Sequence, residues 1–300
     1  MLNYLYNPCT AYPQKNICTP TYFLMLQSRL ILPSPSLRPF VSHYWLMKAE
    51  AHNASVDMNI MPMGCMKWMF HRSLPFAING LMDASNVASV CGQYTEAAHV
   101  SMLADIDLIF VFFQPYAMSV VTGMPCSMFE SSNVSMDDLE QSEFKVLKQM
   151  VLEAGSDAEA IGIIESFIMA RLAEQNDMVN LERMMAVCEE IERRVDVSTA
   201  NLAEVACLSE RQMRRVFEEY VGMSPKKMLR TKRCLMASKA MLDMGADDLT
   251  DIIFSMGFTD HSHLNKEFKH FAGMSPTEYI EHIKETKKAN MFRGYKQYHE

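Results

Sequence analysis

At 300 residues, 49% of them hydrophobic, and with a net charge of −8, the chain is long enough for two ordinary domains, each with a core of its own. No stretch reaches the roughly 20 apolar residues of a membrane-spanning helix, the longest compact run being Leu108–Phe113, so the expectation is a cytoplasmic protein with no membrane partner. Eight cysteines, none in a Cys-x-x-Cys pair, argue against a zinc ribbon or a disulfide scaffold, so neither a metal nor a cofactor is expected and the thiols are assigned to packing.

Between about 20 and 136, runs such as "PSPSLRPFVSHYWLM", "NIMPMGCMKWMF" and "LIFVFFQPY" are rich in Val, Ile, Phe and Tyr and are bounded by Pro, Gly, Ser and Asn. That pattern predicts β-strands separated by turns. His43, His71 and His99 would approach one another if these strands closed into a barrel, but no ligand spacing joins them, and they read as packing or surface histidines. From about 137 the pattern changes. "SMDDLEQSEFKVLKQMVLEA" and "DAEAIGIIESFIMARLAEQ" carry apolar residues three and four apart among Glu, Ala, Leu and Met, which predicts helices, and the helical pattern continues to about 288.

Charge follows the same division. Residues 1–194 hold 12 Lys+Arg against 21 Asp+Glu, whereas residues 195–300 hold 16 against 15. Nine basic residues fall in 211–239, opposed there only by Glu218 and Glu219, which makes this window a candidate surface for a polyanion.

The tetrapeptide Gly-Met-Ser-Pro occurs twice, at Gly222 and Gly273, 51 residues apart. Aligned on it, Phe217 lies over Phe268, Met213 over Leu264 and Ser209 over Asp260, so a structural unit is duplicated. Each copy reads as a short helix, a tight turn and a second helix, the ingredients of a helix-turn-helix. In the first copy Ser209 and Gln212 can form a capping box, with Met213, Val216, Phe217 and Tyr220 on a buried stripe and Arg211, Arg214, Arg215 and Glu218 opposite. Arginines at the start of a helix that follows a tight turn suit guanine edges or phosphates in a major groove. In the second, "DLTDIIFSMGF" supplies the first helix; Leu264, Phe268 and Phe271 form the stripe, with Ser262, Asn265, Lys266 and Lys269 facing out and His261 near the start. The tetrapeptide itself stops one helix and starts the next: glycine tolerates the left-handed conformation, serine caps, and proline occupies the first helical position. Between the copies "PKKMLRTKRCLMASKAMLDM" predicts a helix of about 20 residues, roughly 30 Å long.

These segments, "LAEVACLSERQMRRVFEEYVGMSP", "RTKRCLMASKAML" and "DIIFSMGFTDHSHLNKEFKHFAGMSPTEY", resemble the AraC/XylS family of bacterial transcription regulators over about 183–288. The resemblance implies an α+β protein: a β-rich, barrel-like N-terminal domain at 1–136, a helical linker at 137–182, an all-α domain with two helix-turn-helix units at 183–290 and a tail at 291–300. By position it places DNA contacts on Ser209, Arg211, Arg214 and Arg215 of the first unit and on His261, Ser262, Asn265 and Lys266 of the second. Lys266 stands where the family usually has Arg, which favours a phosphate contact there. Cys207 replaces the common turn glycine, which implies strain or an altered turn.

The expected function is therefore that of a sequence-specific regulator of transcription and not of an enzyme, with double-stranded DNA as partner. The N-terminal domain is expected to bind a small-molecule effector or to form a homodimer, and RNA polymerase is a further expected partner. Two alternatives stand beside it: a DNA alkylation-repair protein with a cysteine acceptor, for which no activated thiolate context is found, and a regulator controlled by a protein partner.

Overall fold

The computed structural model describes residues 11–13, 27–49, 55–73, 76–78, 81–82, 87–103, 106–175, 177–244, 250, 253 and 255–281. The segment at 291–300, Cys9 and Cys18 lie outside them, as does most of the first helix of the second repeat. The β-rich first part and helical second part expected from the sequence are both present. The strands are β1 (Ala11–Pro13), β2 (Gln27–Ile31), β3 (Val41–Ala49), β4 (Ser55–Ile60), β5 (Lys67–His71), β6 (Phe76–Ile78), β7 (Leu81–Met82), β8 (Ala88–Cys91), β9 (Ala98–Leu103), β10 (Ile106–Phe113) and β11 (Asn133–Ser135). Every described pairing is antiparallel. They form a five-stranded sheet, β1-β4-β9-β6-β7, and a six-stranded sheet, β11-β8-β5-β10-β3-β2.

Strand β10 pairs with β3 on one side and β5 on the other, and its apolar run is buried on both faces, so it lacks the polar alternation of a half-exposed strand. Ile109, Val111 and Phe113 share one face with Trp68, Phe70, Tyr44 and Leu46. After the short α1 (Ala117–Thr122), helices α2 (Ser142–Glu153) and α3 (Asp157–Ala173) cover that face. Trp68 meets Phe144 and Phe167 edge-on, each with ring centroids 5.9 Å away, and Phe113 at 4.8 Å, a favoured aromatic geometry. Arg72 joins Asp107 of β10 (2.7 Å) to Asp157 in the first turn of α3 (2.5 Å), so one guanidinium fixes the start of the helix to the sheet.

The opposite face carries Trp45, Met47, Met69, Phe110 and Phe112 together with His43, Lys67, His71 and Cys91. His43 stacks on Phe112 at 4.5 Å, and burial pulls its imidazole down to about 3, so it is neutral across the physiological range. The Lys67 ammonium lies 5.5 Å from the Phe110 ring centre and 5.7 Å from that of Phe112. His43 stands opposite Phe112 and His71 opposite Leu108, roughly 13 Å apart along the strand, and the side chain of His99 lies outside the described residues.

The helical part continues with α4 (Met178–Arg193), α5 (Thr199–Val205), α6 (Glu210–Val221), α7 (Pro225–Met244) and α8 (His261–Ala272), then further helical residues at 276–281. Two hydrophobic cores divide it. One runs unbroken from the six-stranded sheet through α2, α3 and α4 to α5, α6 and the first turns of α7 at Met228 and Leu229. The other gathers Cys234, Ala237 and Met241 of α7 with Ile253, Leu264, Phe268, Phe271 and Tyr279, and takes in Met61 from the loop after β4.

Candidate nucleic-acid interface

Both copies of the repeat carry the capping chemistry their sequences encode. Ser209 Oγ accepts the Gln212 N–H at 3.3 Å while the Gln212 side chain accepts the Ser209 N–H at 3.2 Å, closing a capping box at the start of α6. Asp260 does the corresponding work for α8, accepting the His263 N–H at 2.8 Å. Ser275 and Glu278 close a second box after α8, with the Ser275 N–H donated to the Glu278 carboxylate at 2.8 Å. Gly222 and Gly273 end α6 and α8 at φ 84° and 74°. In the α5–α6 turn Cys207 has φ 52°, a left-handed conformation costly for a residue with a Cβ, which is the strain expected where the glycine is missing.

Met213, Val216, Phe217, Tyr220 and Val221 are buried along one side of α6, and Leu264, Phe268, Phe271 and Ala272 along one side of α8. Burying these stripes turns the remaining face of each helix outward. Arg211, Arg214 and Arg215 are exposed on α6, and His261, Ser262, Asn265 and Lys266 are exposed on α8 with Lys269. None of the three arginines is held in an ion pair by the described residues, so their guanidinium groups are open to an incoming anion. Ser209 differs, because its hydroxyl is already engaged with Gln212 at 2.8 Å. His263, two positions from His261, is half-buried, takes the Thr259 N–H at 3.1 Å and meets Phe258 edge-on, so it is a structural residue.

The basic window at 211–239 does not form one surface. Lys227 pairs with Glu130 of the N-terminal part, Arg230 with Glu267 of α8 (2.5 Å), and Arg233 donates to the Val195 carbonyl (3.1 Å). Lys232 is enclosed, contacts Glu192, and is pulled down by burial to about 8. A helix that crosses the middle of the molecule must put some of its basic residues inward, and charge counted along the sequence cannot show which. The exposed remainder is Lys226 beside the three arginines of α6.

Thiol chemistry finds little support in the described residues. Cys65, Cys91, Cys126, Cys188 and Cys234 are buried, and burial pushes the Cys188 and Cys234 thiols up to about 12. Cys207 is exposed. No group of three or more His, Cys, Asp or Glu side chains among the described residues is arranged to hold a metal, and no described helix is long and apolar enough to cross a membrane. Gln93, to which the sequence offers no clue, proves to touch the first repeat: its side-chain amide donates to the Val221 carbonyl, at the end of α6, at 2.6 Å.

Two families match the chain: the helix-turn-helix domain over residues 202–282, and a domain of unknown function (DUF6597) over residues 29–135. An uncharacterized HTH-type transcriptional regulator of Haemophilus influenzae is 27% identical over 135 residues, which is 43% of this chain and 44% of that protein. The HTH-type transcriptional activator RhaS of Escherichia fergusonii is 25% identical over 155 residues, 47% of this chain and 55% of that protein. The matched stretches thus span about half the length of these curated relatives. Among solved structures, ToxT of Vibrio cholerae aligns over 86% of this chain and 98% of its own, at 11% identity and a TM-score of 0.43.

Proposed function

We propose, from the AraC-type helix-turn-helix domain that this chain carries at its C-terminus, that the protein binds duplex DNA sequence-specifically and regulates transcription. The observation that carries this reading is the pair of exposed polar helix faces, on α6 and α8, both packed against the 20-residue helix α7, α6 on its first turns and α8 alongside its middle. Two reading helices held by one common helix would enter successive major grooves, ~34 Å apart, on one side of a duplex. Arg211 and Arg214 would read bases and Arg215 would grip phosphate, while His261, Ser262, Asn265 and Lys266 give the milder second contact. Ser209 would contribute through its backbone, since its hydroxyl caps the helix.

Selection of duplexes from a randomised pool, repeated with Arg211→Ala and Arg214→Ala at several salt concentrations, tests this. Both variants should change the base preference within one half of the site, each lost guanine contact costing about 1–3 kcal/mol. If both select the same sequences as the unchanged protein, the role assigned to these arginines is wrong. We further propose that residues 1–136 form the effector-binding or dimerising domain, residues 137–182 the helical link and residues 183–290 the reading domain, and that the protein is cytoplasmic and meets RNA polymerase. Native mass spectrometry of protein purified from its own host reads both the oligomeric state and any retained ligand.

A further inference from the structure

The two reading helices are attached to the N-terminal part in different ways. Helix α6 belongs to the same continuous core as the six-stranded sheet. Its last residues are pressed against that part: a Cβ added at Gly222 would come within 2.8 Å of the Cys126 carbonyl oxygen and 2.6 Å of Met66 Cε. Helix α8 belongs to the other core, which holds a single N-terminal residue, Met61, among its described members. The first unit is therefore continuous with the sheet, and the second is suspended from it.

The segment between β8 and β9, residues 92–97, spans the two. At one end the chain passes so close to the Phe129 carbonyl that only glycine fits at position 92. Gly92 N–H bonds the Ser132 carbonyl at 2.8 Å, and the Gln93 carbonyl accepts the Ser131 N–H at 2.9 Å, so this end is fastened to its own domain. From there the Gln93 amide, 1% exposed, reaches the Val221 carbonyl where α6 ends, satisfying one of the acceptors a helix terminus leaves open. At the other end Thr95 lines a cleft with Glu267, His270 and Phe271 of α8. Glu96 comes within 3.9 Å of the His270 ring, and Ala97 faces Gly273, where a Cβ would lie 3.7 Å away. One six-residue loop thus touches the exits of both reading helices.

We propose that this loop is a strut that sets the spacing between α6 and α8, with Gln93 and Ala97 as positioning residues, and that through it the N-terminal sheet selects the spacing of DNA elements the protein accepts. The proposal deepens the DNA-binding reading and rests on it for the second arm of the test. In the first arm, spin labels at Arg215→Cys and Lys266→Cys, with Cys9, Cys18 and Cys207 replaced by serine, report the distance between the reading helices. Gln93→Met releases the loop from the end of α6 and Ala97→Arg from the exit of α8, so each should broaden that distribution about twofold, while the continuous core still holds α6 to the sheet. A control pair at Glu153→Cys and Arg215→Cys, within the continuous core, should keep its width. An unchanged reading-helix distribution, or equal broadening of both pairs, overturns the proposal. In the second arm, the unchanged protein should lose about tenfold in affinity when one base pair is inserted between its two selected elements, and both variants should lose less than about threefold. A merely structural defect would weaken both spacings alike, which overturns the role in spacing. If the unchanged protein selects no DNA, the functional reading fails, and the spin-label arm still decides whether the loop positions the second unit.

Discussion

Replacing Gly222 and Gly273 separately by alanine compares two glycines followed by the same Met-Ser-Pro in sequence and set among different neighbours in space. Both have left-handed backbones, φ 84° and 74°, so alanine costs each about 1–2 kcal/mol. At Gly273 that is nearly the whole cost, since the new methyl would meet only Ala97 at the ordinary distance of 3.7 Å. At Gly222 the methyl would lie 2.8 Å from the Cys126 carbonyl oxygen, and that is backbone in a short turn that cannot swing aside as Met66 Cε can. Crowding of this kind adds about 1–3 kcal/mol, so Gly222→Ala should lose roughly 2–5 kcal/mol in all. Urea unfolding followed by circular dichroism reads the difference as a midpoint shift at constant slope. Equal losses in the two variants would refute the reasoning, because the docking of α6 against the N-terminal part would then add nothing at its exit.

Three further outcomes follow from particular groups. His43 is held near 3 in the folded protein against 6.5 when free, so the unfolded chain binds its proton first and stability should fall as pH drops from about 6.5 toward 3. His43→Phe should flatten that loss, as measured by unfolding midpoints at a series of pH values, and an unchanged slope would count against the burial of the ring. Ser209→Ala should destabilise the first unit by about 1 kcal/mol through the lost cap, with the thermal midpoint as readout and little change in base preference. Arg215→Gln should weaken binding to all duplexes alike and reduce the slope of log affinity against log salt by about one, whereas Arg211→Ala should also change which sequence is preferred.

What the sequence makes legible here is what depends on near neighbours. A capping box needs residues three apart, a left-handed exit needs one glycine, and a buried stripe needs residues three and four apart, so α6, α8 and their punctuation can be read from the order of residues alone. The exposed faces follow by subtraction. The strain at Cys207 can also be anticipated, from a glycine missing at a turn. Contacts between distant segments cannot be read this way. Nothing near Gln93 announces Val221, 128 positions away, and nothing in the basic window tells that Lys232 faces inward while Lys226 faces out. The same limit applies to α2 and α3. Their helical period is plain, but that Phe144 and Phe167 close over Trp68, some 76 and 99 positions away, is not written near either helix.

The chain has two tryptophans, and the six-stranded sheet separates them. Trp68, fully enclosed among four phenylalanine rings on the helical side, should emit at short wavelength and resist aqueous quenchers. Trp45, partly exposed on the other side, donates its indole N–H to Ser28 at 2.6 Å and should emit further to the red. With Trp45→Phe and Trp68→Phe the intrinsic fluorescence becomes a separate optical channel for each side of one sheet. A small molecule entering beside Phe110 and Phe112 would register first in the Trp45 signal, and a shift of α2 or α3 on the sheet in that of Trp68.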